Sequence, residues 1–444
     1  MPDKLIYLDY AASTPVCSEA VAAMLPYLEE SHGAYANPSS VSNQMGLEAQ
    51  DAVSNARADI AAALHVQAQE VIFTSCASES INMALIGLAL HKDNQKKHII
   101  TMQTEHQAVL ATCDYLQSQG FKITKLKPMA NGLLDLNELE DHICSDTLLV
   151  AVMMVNNETG VIQDIQKISQ IAHAHQALMF CDMVQAVGKI PVDIPALGVD
   201  LAAISAHKFY GPKGVGALVL CHNTAQKLRV GLFGGGHEMG LRSGTLAVHQ
   251  IVAMAAAIKK ATRKQAQDYA HIQKLESAFK KALMALSGGL VFAGNPNNKV
   301  PHILHFAIAS VEGDQLFDFL SQYAAFSAGS ACRSGNENPS HVLTAMGVDA
   351  SIAQKSIRFS FGRYTRQEDI SLLISKLEAF IKTQQAPLFV QSSLDVPTKL
   401  ASKNAQFRIV GIPIIKRNIN NSVSIELNQF ELMFLFKESN NLFP

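Results

Sequence analysis

The sequence predicts an α/β protein with a mostly parallel central sheet and a smaller α+β domain. Three observations predict it. Between about residues 70 and 220, short apolar runs alternate with segments long enough for crossover helices. The runs are continuously apolar and rich in β-branched residues, as strands covered on both faces are. Polar residues of several chemical kinds follow the carboxyl ends of those runs, where open α/β sheets bind ligands.

Taken in order, Val71–Thr74 is the first such strand and 78–90 the helix after it, with Ser78 as its expected N-cap. Residues 99–102 and 107–119 repeat the pair. Runs at 148–155, 178–181 and Leu201–Ser205 add three strands, and Gly211-Pro212-Lys213-Gly214 turns the chain into another at 215–220. A glycine-rich stretch at 231–244 leads to a helix expected from 247 to 260. The rhythm then changes. The large domain is therefore assigned to 16–262 and the small one to 1–15 with 263–386. The tail, 387–444, carries β-like runs at 407–415 and 423–436 and continues neither pattern.

Composition narrows the function classes. Of 444 residues, 48% are apolar and 17% charged, which suits a large folded core. A formal net charge of -2 gives no electrostatic footprint for nucleic acid. No apolar run approaches the roughly 18–20 residues of a membrane helix. The amino end shows no basic-then-apolar leader, so the expectation is a cytoplasmic protein. Seven scattered cysteines form no C-x-x-C pair and no ligand spacing, so free thiols are expected and no metal site is.

The strand ends carry the chemistry. Ser78, the expected N-cap, precedes a helix whose free amides and dipole would hold a phosphate, although a plain capped helix has the same residues. His106 after the second strand could stack on an aromatic ring or be an ordinary hydrogen-bonded histidine. Asn156-Asn157 at the next strand end could bind a carboxylate or make a turn. Asp182, at the end of a buried strand, needs a partner. A pyridinium N–H would be one, and helix capping is the ordinary alternative. Lys208 follows Ser205-Ala206-His207 and precedes Gly211, placed to form a Schiff base or simply exposed. One sheet edge thus gathers a phosphate cradle, a ring stacker, an acid and an amine.

At these residues the sequence resembles the cysteine desulfurases of the NifS/IscS type, within the fold-type I pyridoxal 5′-phosphate (PLP) transferases of the class V aminotransferase group. The similar stretches include Tyr7-Leu8-Asp9-Tyr10-Ala11-Ala12, Ala77-Ser78-Glu79-Ser80, Thr104-Glu105-His106, His207-Lys208, Arg242-Ser243-Gly244-Thr245, Ser330-Ala331-Cys332 and Ser356-Ile357-Arg358. The resemblance implies that Lys208 holds the cofactor and moves protons, with His106 stacking on its ring as acid or base. It gives Asp182 the pyridine nitrogen, Gln185 the ring hydroxyl, and Ala77, Ser78, Ser205 and His207 the phosphate. Thr245 would reach the phosphate of a second subunit, implying a homodimer. Asn157 and Arg358 would grip the carboxylate of L-cysteine. Cys332 would take the sulfur as a persulfide, release alanine and pass the sulfur to an acceptor for iron–sulfur cluster assembly or thiolation. It is also the one residue implied as a transient iron–sulfur ligand. Around Cys332, small polar residues suit a moving loop, and Arg333 favours the thiolate.

The sequence departs from the family pattern at Asn43, Cys76 and Met183, which stand for His, Gly and a small residue, and in the tail, where a scaffold-docking segment is usual. A selenocysteine lyase, another enzyme of the same fold, and a non-catalytic partner-binding paralogue are the alternatives.

Overall fold

The apolar runs do pair into one sheet. In a computed structural model of the chain, the described residues are 5–32, 34–222, 224–229, 231–286, 289–328 and 339–385, with two short strands in the tail. After β1 (Ile6–Tyr7), the sheet strands are β2 (Val71–Thr74), β3 (His98–Met102), β4 (Lys122–Leu126), β5 (Thr147–Ala151), β6 (Leu178–Asp182), β7 (Leu201–Ser205) and β8 (Gly216–Leu220). Their order is β2-β8-β7-β6-β5-β3-β4. β8 is antiparallel to both neighbours and every other pair is parallel. β4 was not expected from sequence. As an edge strand it is only partly buried, so its Lys-Ile-Thr-Lys-Leu run lacks the apolar signature.

Strand periodicity explains the two cores on this sheet. Val71, Phe73, Ile100 and Met102 pack on one face, and Ile72 and Ile99 on the other. The covering helices are α1 (Ser18–Met24), α2 (Gln44–Leu64), α3 (Ala77–Ala89), α4 (Gln107–Ser118), α5 (Leu136–His142), α6 (Ile165–Ala174) and α7 (Val248–Leu286). α2 begins at Asn43, whose side chain accepts from Gly46 N–H at 2.9 Å. α7 is 39 residues long and runs well past the helix expected to end at 260, through the 262/263 position. No Gly or Pro interrupts it, and its apolar spacing continues.

The far half of α7 belongs to a third core with Phe306, Phe359 and Phe361. There, β9 (Leu290–Phe292), β10 (Ile303–Ile308), β11 (Ala324–Ala325), β12 (Ser327–Ala328) and β13 (Ile357–Ser360) are flanked by α8 (Gly313–Leu320), α9 (His341–Ala345), α10 (Ala350–Lys355) and α11 (Gln367–Gln385). An antiparallel sheet runs β12-β13-β10-β9, and β1 pairs parallel with β11. The amino end thus joins this third core.

Pro387–Pro444 forms a separate unit. Its described part is the antiparallel pair β14 (Ile415–Arg417) and β15 (Val423–Ile425). The rest of the runs expected at 407–415 and 423–436 lies outside the described residues. Among the described residues, no helix is long and apolar enough to cross a membrane.

Candidate active site

The carboxyl ends of β2, β3, β5, β6 and β7 surround a cavity of about 250 Å³. β2 delivers the amino end of α3. Cys76, not Ser78, is the N-cap of that helix, and it makes no side-chain cap hydrogen bond. Ser78 therefore lies in the first turn. Its amide and that of Ala77 are left without a capping side chain at the cavity wall, the arrangement that suits an anion. Cys76 has φ of -173°, extended backbone that needs no glycine. Gly216, across from it, is needed. A Cβ there would lie 2.6 Å from Ile204 O and 3.0 Å from the Cys76 carbonyl carbon.

Asp182 ends β6, is 6% exposed, and accepts from Val184 N–H at 2.9 Å. Burial pushes its carboxyl upward, while the His106 ring and Lys208 ammonium pull the other way. Next to it, Met183 is wholly buried and absorbed by the core. His106 is the N-cap of α4. Its Nδ1 accepts from Ala108 N–H at 3.1 Å, so a neutral ring carries its proton on Nε2.

Lys208 follows β7 in a single turn of 3-10 helix. Its Nζ donates to Ala11 O at 2.6 Å and Ala12 O at 2.8 Å. Burial, then the Arg358 guanidinium, lowers it from 10.5 to about 8, with Asp182 and Asp9 opposing. Gln185 is buried and donates from Nε2 to the same Ala11 O at 2.8 Å. Burial and the neighbouring lysines lower His207 to about 4, and Ser13 Oγ lies 3.3 Å from its Nδ1. Ser205 is buried at the strand end.

On the second sheet, Arg358 of β13 is fixed as a fork. Nη1 donates to Asn157 O at 3.1 Å. Nη2 donates to Asp9 Oδ1 at 3.0 Å and Ser327 Oγ at 2.6 Å. Nε is buried without a partner among the described residues.

Ten residues singled out from sequence line this one cavity: Ala77, Ser78, His106, Asn157, Asp182, Gln185, Ser205, His207, Lys208 and Arg358. Thr245 is exposed and does not line it. Cys332 lies outside the described residues. Sequence reasoning gave no role to Ala11 and Ala12, whose carbonyls receive Lys208, or to Asp9, which anchors Arg358. Backbone acceptors have no residue signature. Asp9 sits in the Tyr7–Ala12 stretch already noted, and could have been found there.

A PLP-sized group fits this donor set. The uncapped helix end answers a phosphate, the buried carboxyl a ring N–H, and a lysine near neutrality an aldehyde. Sheet order and cavity together are those of a fold-type I enzyme, with its site at the carboxyl ends of the strands. The chain belongs to the class-V aminotransferase family, whose model matches residues 6–373. Cysteine desulfurase IscS of Colwellia psychrerythraea (strain 34H / ATCC BAA-681) is 44% identical over 376 residues, 85% of this chain and 92% of that one. Its counterpart from Neisseria meningitidis serogroup C (strain 053442) is 43% identical over the same shares. Among solved structures, a NifS-like protein has a TM-score of 0.79 at 36% identity, covering 86% of this chain and all of that one. SspA in complex with cysteine has a TM-score of 0.70 at 34% identity, covering 81% and 100%.

Proposed function

We propose that this protein is a PLP-dependent cysteine desulfurase. It removes sulfur from L-cysteine as a Cys332 persulfide and releases L-alanine. The observation that carries the reading is the single cavity shared by Lys208, Asp182, His106, the α3 amino end and Arg358.

When bound, the cofactor supplies an electron sink for charge left at the substrate's α-carbon. The chain's own residues do the rest. Ala77, Ser78, Ser205 and His207 hold the phosphate, and a neutral His207 can accept or donate there without adding charge. Asp182 holds the ring nitrogen, and Gln185 the ring oxygen. Lys208, lowered to about 8, is available as an unprotonated amine near neutral pH to hold the aldehyde and take the α-proton. His106 covers the ring and offers Nε2–H. Arg358, its fork fixed by Asp9, Ser327 and Asn157, orients the substrate carboxylate. The Cys332 thiolate then bonds to the substrate sulfur as the carbon–sulfur bond breaks and its electrons return to carbon.

The same reading makes the protein a cytoplasmic homodimer in which Thr245 serves the partner's site. Its exposure, and its absence from its own cavity, support that. The described cysteines are free thiols, in keeping with a reducing compartment. The acceptor is a sulfur-carrier or iron–sulfur scaffold protein.

Mass spectrometry after mixing the holoprotein with L-cysteine tests the proposal. One sulfur atom should appear on the Cys332 peptide, with one alanine released. Alanine without a persulfide, or alanine from selenocysteine alone, would overturn it. A protein that stays colourless with added PLP would point to a non-catalytic paralogue.

A further inference from the structure

Past Asp182 the chain makes tight turns. Ala186 N–H bonds to Met183 O at 2.9 Å, and Lys189 N–H to Ala186 O at 3.0 Å. Gly188 makes the second possible. Its φ is +75°, and a Cβ there would lie 2.8 Å from Ala261 Cβ of α7 and 3.1 Å from Phe209 Cβ. The following residue, Lys189, is only 7% exposed. Its Nζ donates to Gln185 Oε1.

No carboxylate accompanies this amine. Among the described residues Lys189 has no ion-pair partner. The charged groups facing it are Lys208 and Arg358, and His207 and His302 feel its charge in turn. Lys299, by contrast, is half-buried and paired with Glu276 at 3.0 Å. Burial beside two cations holds the Lys189 amine well below the usual lysine range. An apolar side chain of similar length would fill the same space without that penalty, so packing alone does not account for an amine here.

What the amine fixes is the orientation of Gln185. An amide turned over by half a rotation exchanges its donor and acceptor ends at almost no change in shape. Lys189 donating to Oε1, and Nε2 donating to Ala11 O at 2.8 Å, select one orientation. Lys208 Nζ shares the Ala11 acceptor at 2.6 Å. Lys189, Gln185, Ala11 and Lys208 thus form one connected set at the cavity wall.

We propose that Lys189 is a positioning residue, holding Gln185 so that its amide N–H₂, not its carbonyl, meets the phenolic oxygen of the bound cofactor. The inference rests on the PLP reading above. Its test is a pH titration of the cofactor's visible absorbance in the holoprotein, for wild type, Lys189→Met, Gln185→Ala and the double variant. Loss of a donor at the phenolic oxygen should raise the midpoint by about half a pH unit or more. Lys189→Met should show that rise, and the double variant should rise no further than Gln185→Ala alone. Lys189→Gln, whose amide can donate to Oε1, should return the midpoint toward wild type. Lys189→Leu, a second apolar replacement of different shape, should match Lys189→Met and carries the test if that variant does not fold. A wild-type midpoint in both apolar variants, or additive shifts in the double variant, overturns the proposal. A wild-type protein with no visible band in PLP overturns the cofactor reading, and this inference with it. That result is distinct from a normal band with unmoved variants.

Discussion

The Lys208 amine should titrate near pH 8 in the cofactor-free protein, and two neighbours should move it in opposite directions. Burial is the largest cause of its lowering from 10.5 to about 8, and the Arg358 guanidinium is the next. At pH 7.5 that leaves about a quarter of the amine neutral, against about one part in a thousand for an ordinary lysine, a gain on the order of 200-fold. Arg358→Ala removes a repelling charge and should raise the midpoint. Asp182→Asn removes an attracting one and should lower it. Competitive labelling with acetic anhydride across pH 6–11, mapped by mass spectrometry, reads the midpoint directly, with a free N-acetyl-lysine-type amine added as the internal reference. A Lys208 midpoint at or above about 10 would refute the burial argument. Shifts of the same sign in the two variants would refute the electrostatic one.

Gly216→Ala should displace the α3 amino end, since its Cβ would meet Ile204 O and the Cys76 backbone; a stability loss of about 1–3 kcal/mol by urea unfolding and weaker PLP uptake are expected. Arg57→Met strands Glu238, which is buried and doubly paired with Arg57, and should cost about 3–5 kcal/mol, much of it recovered in Arg57→Met/Glu238→Gln. Arg358→Lys keeps the charge but not the fork joining Asp9, Ser327 and Asn157, so KM for L-cysteine should rise about tenfold or more with PLP affinity nearly unchanged.

The buried strands were legible because both of their faces need apolar side chains, and all of those expected in the large sheet begin within one residue of the position read from sequence. The polar residues at the strand ends were legible as candidates, each with an ordinary alternative, and the structure gathers them around one cavity. Other features were hidden for physical reasons. The cap of α3 fell to Cys76 because the β2–α3 connection, pressed against Gly216, fixes where helical geometry starts. β4 escaped because an edge strand is half wet. Lys189 lies between Gly188 and the apolar Ile190-Pro191-Val192, where a lysine reads as a surface residue. Its burial comes from tertiary packing around the loop, which the local sequence does not carry.

One helix links the two main packing regions of the first unit. The near part of α7 contributes Ile251, Met254 and Ile258 to the core of the seven-stranded sheet, and its far part contributes Ile272, Phe279 and Leu283 to the phenylalanine-rich one. At 39 residues it is a strut close to 60 Å long. Bisecting the chain near residue 262 would cut through that strut, not through a hinge. Each fragment would carry a raw apolar stripe on its half of the rod, so the halves should be insoluble apart and regain solubility only when co-expressed.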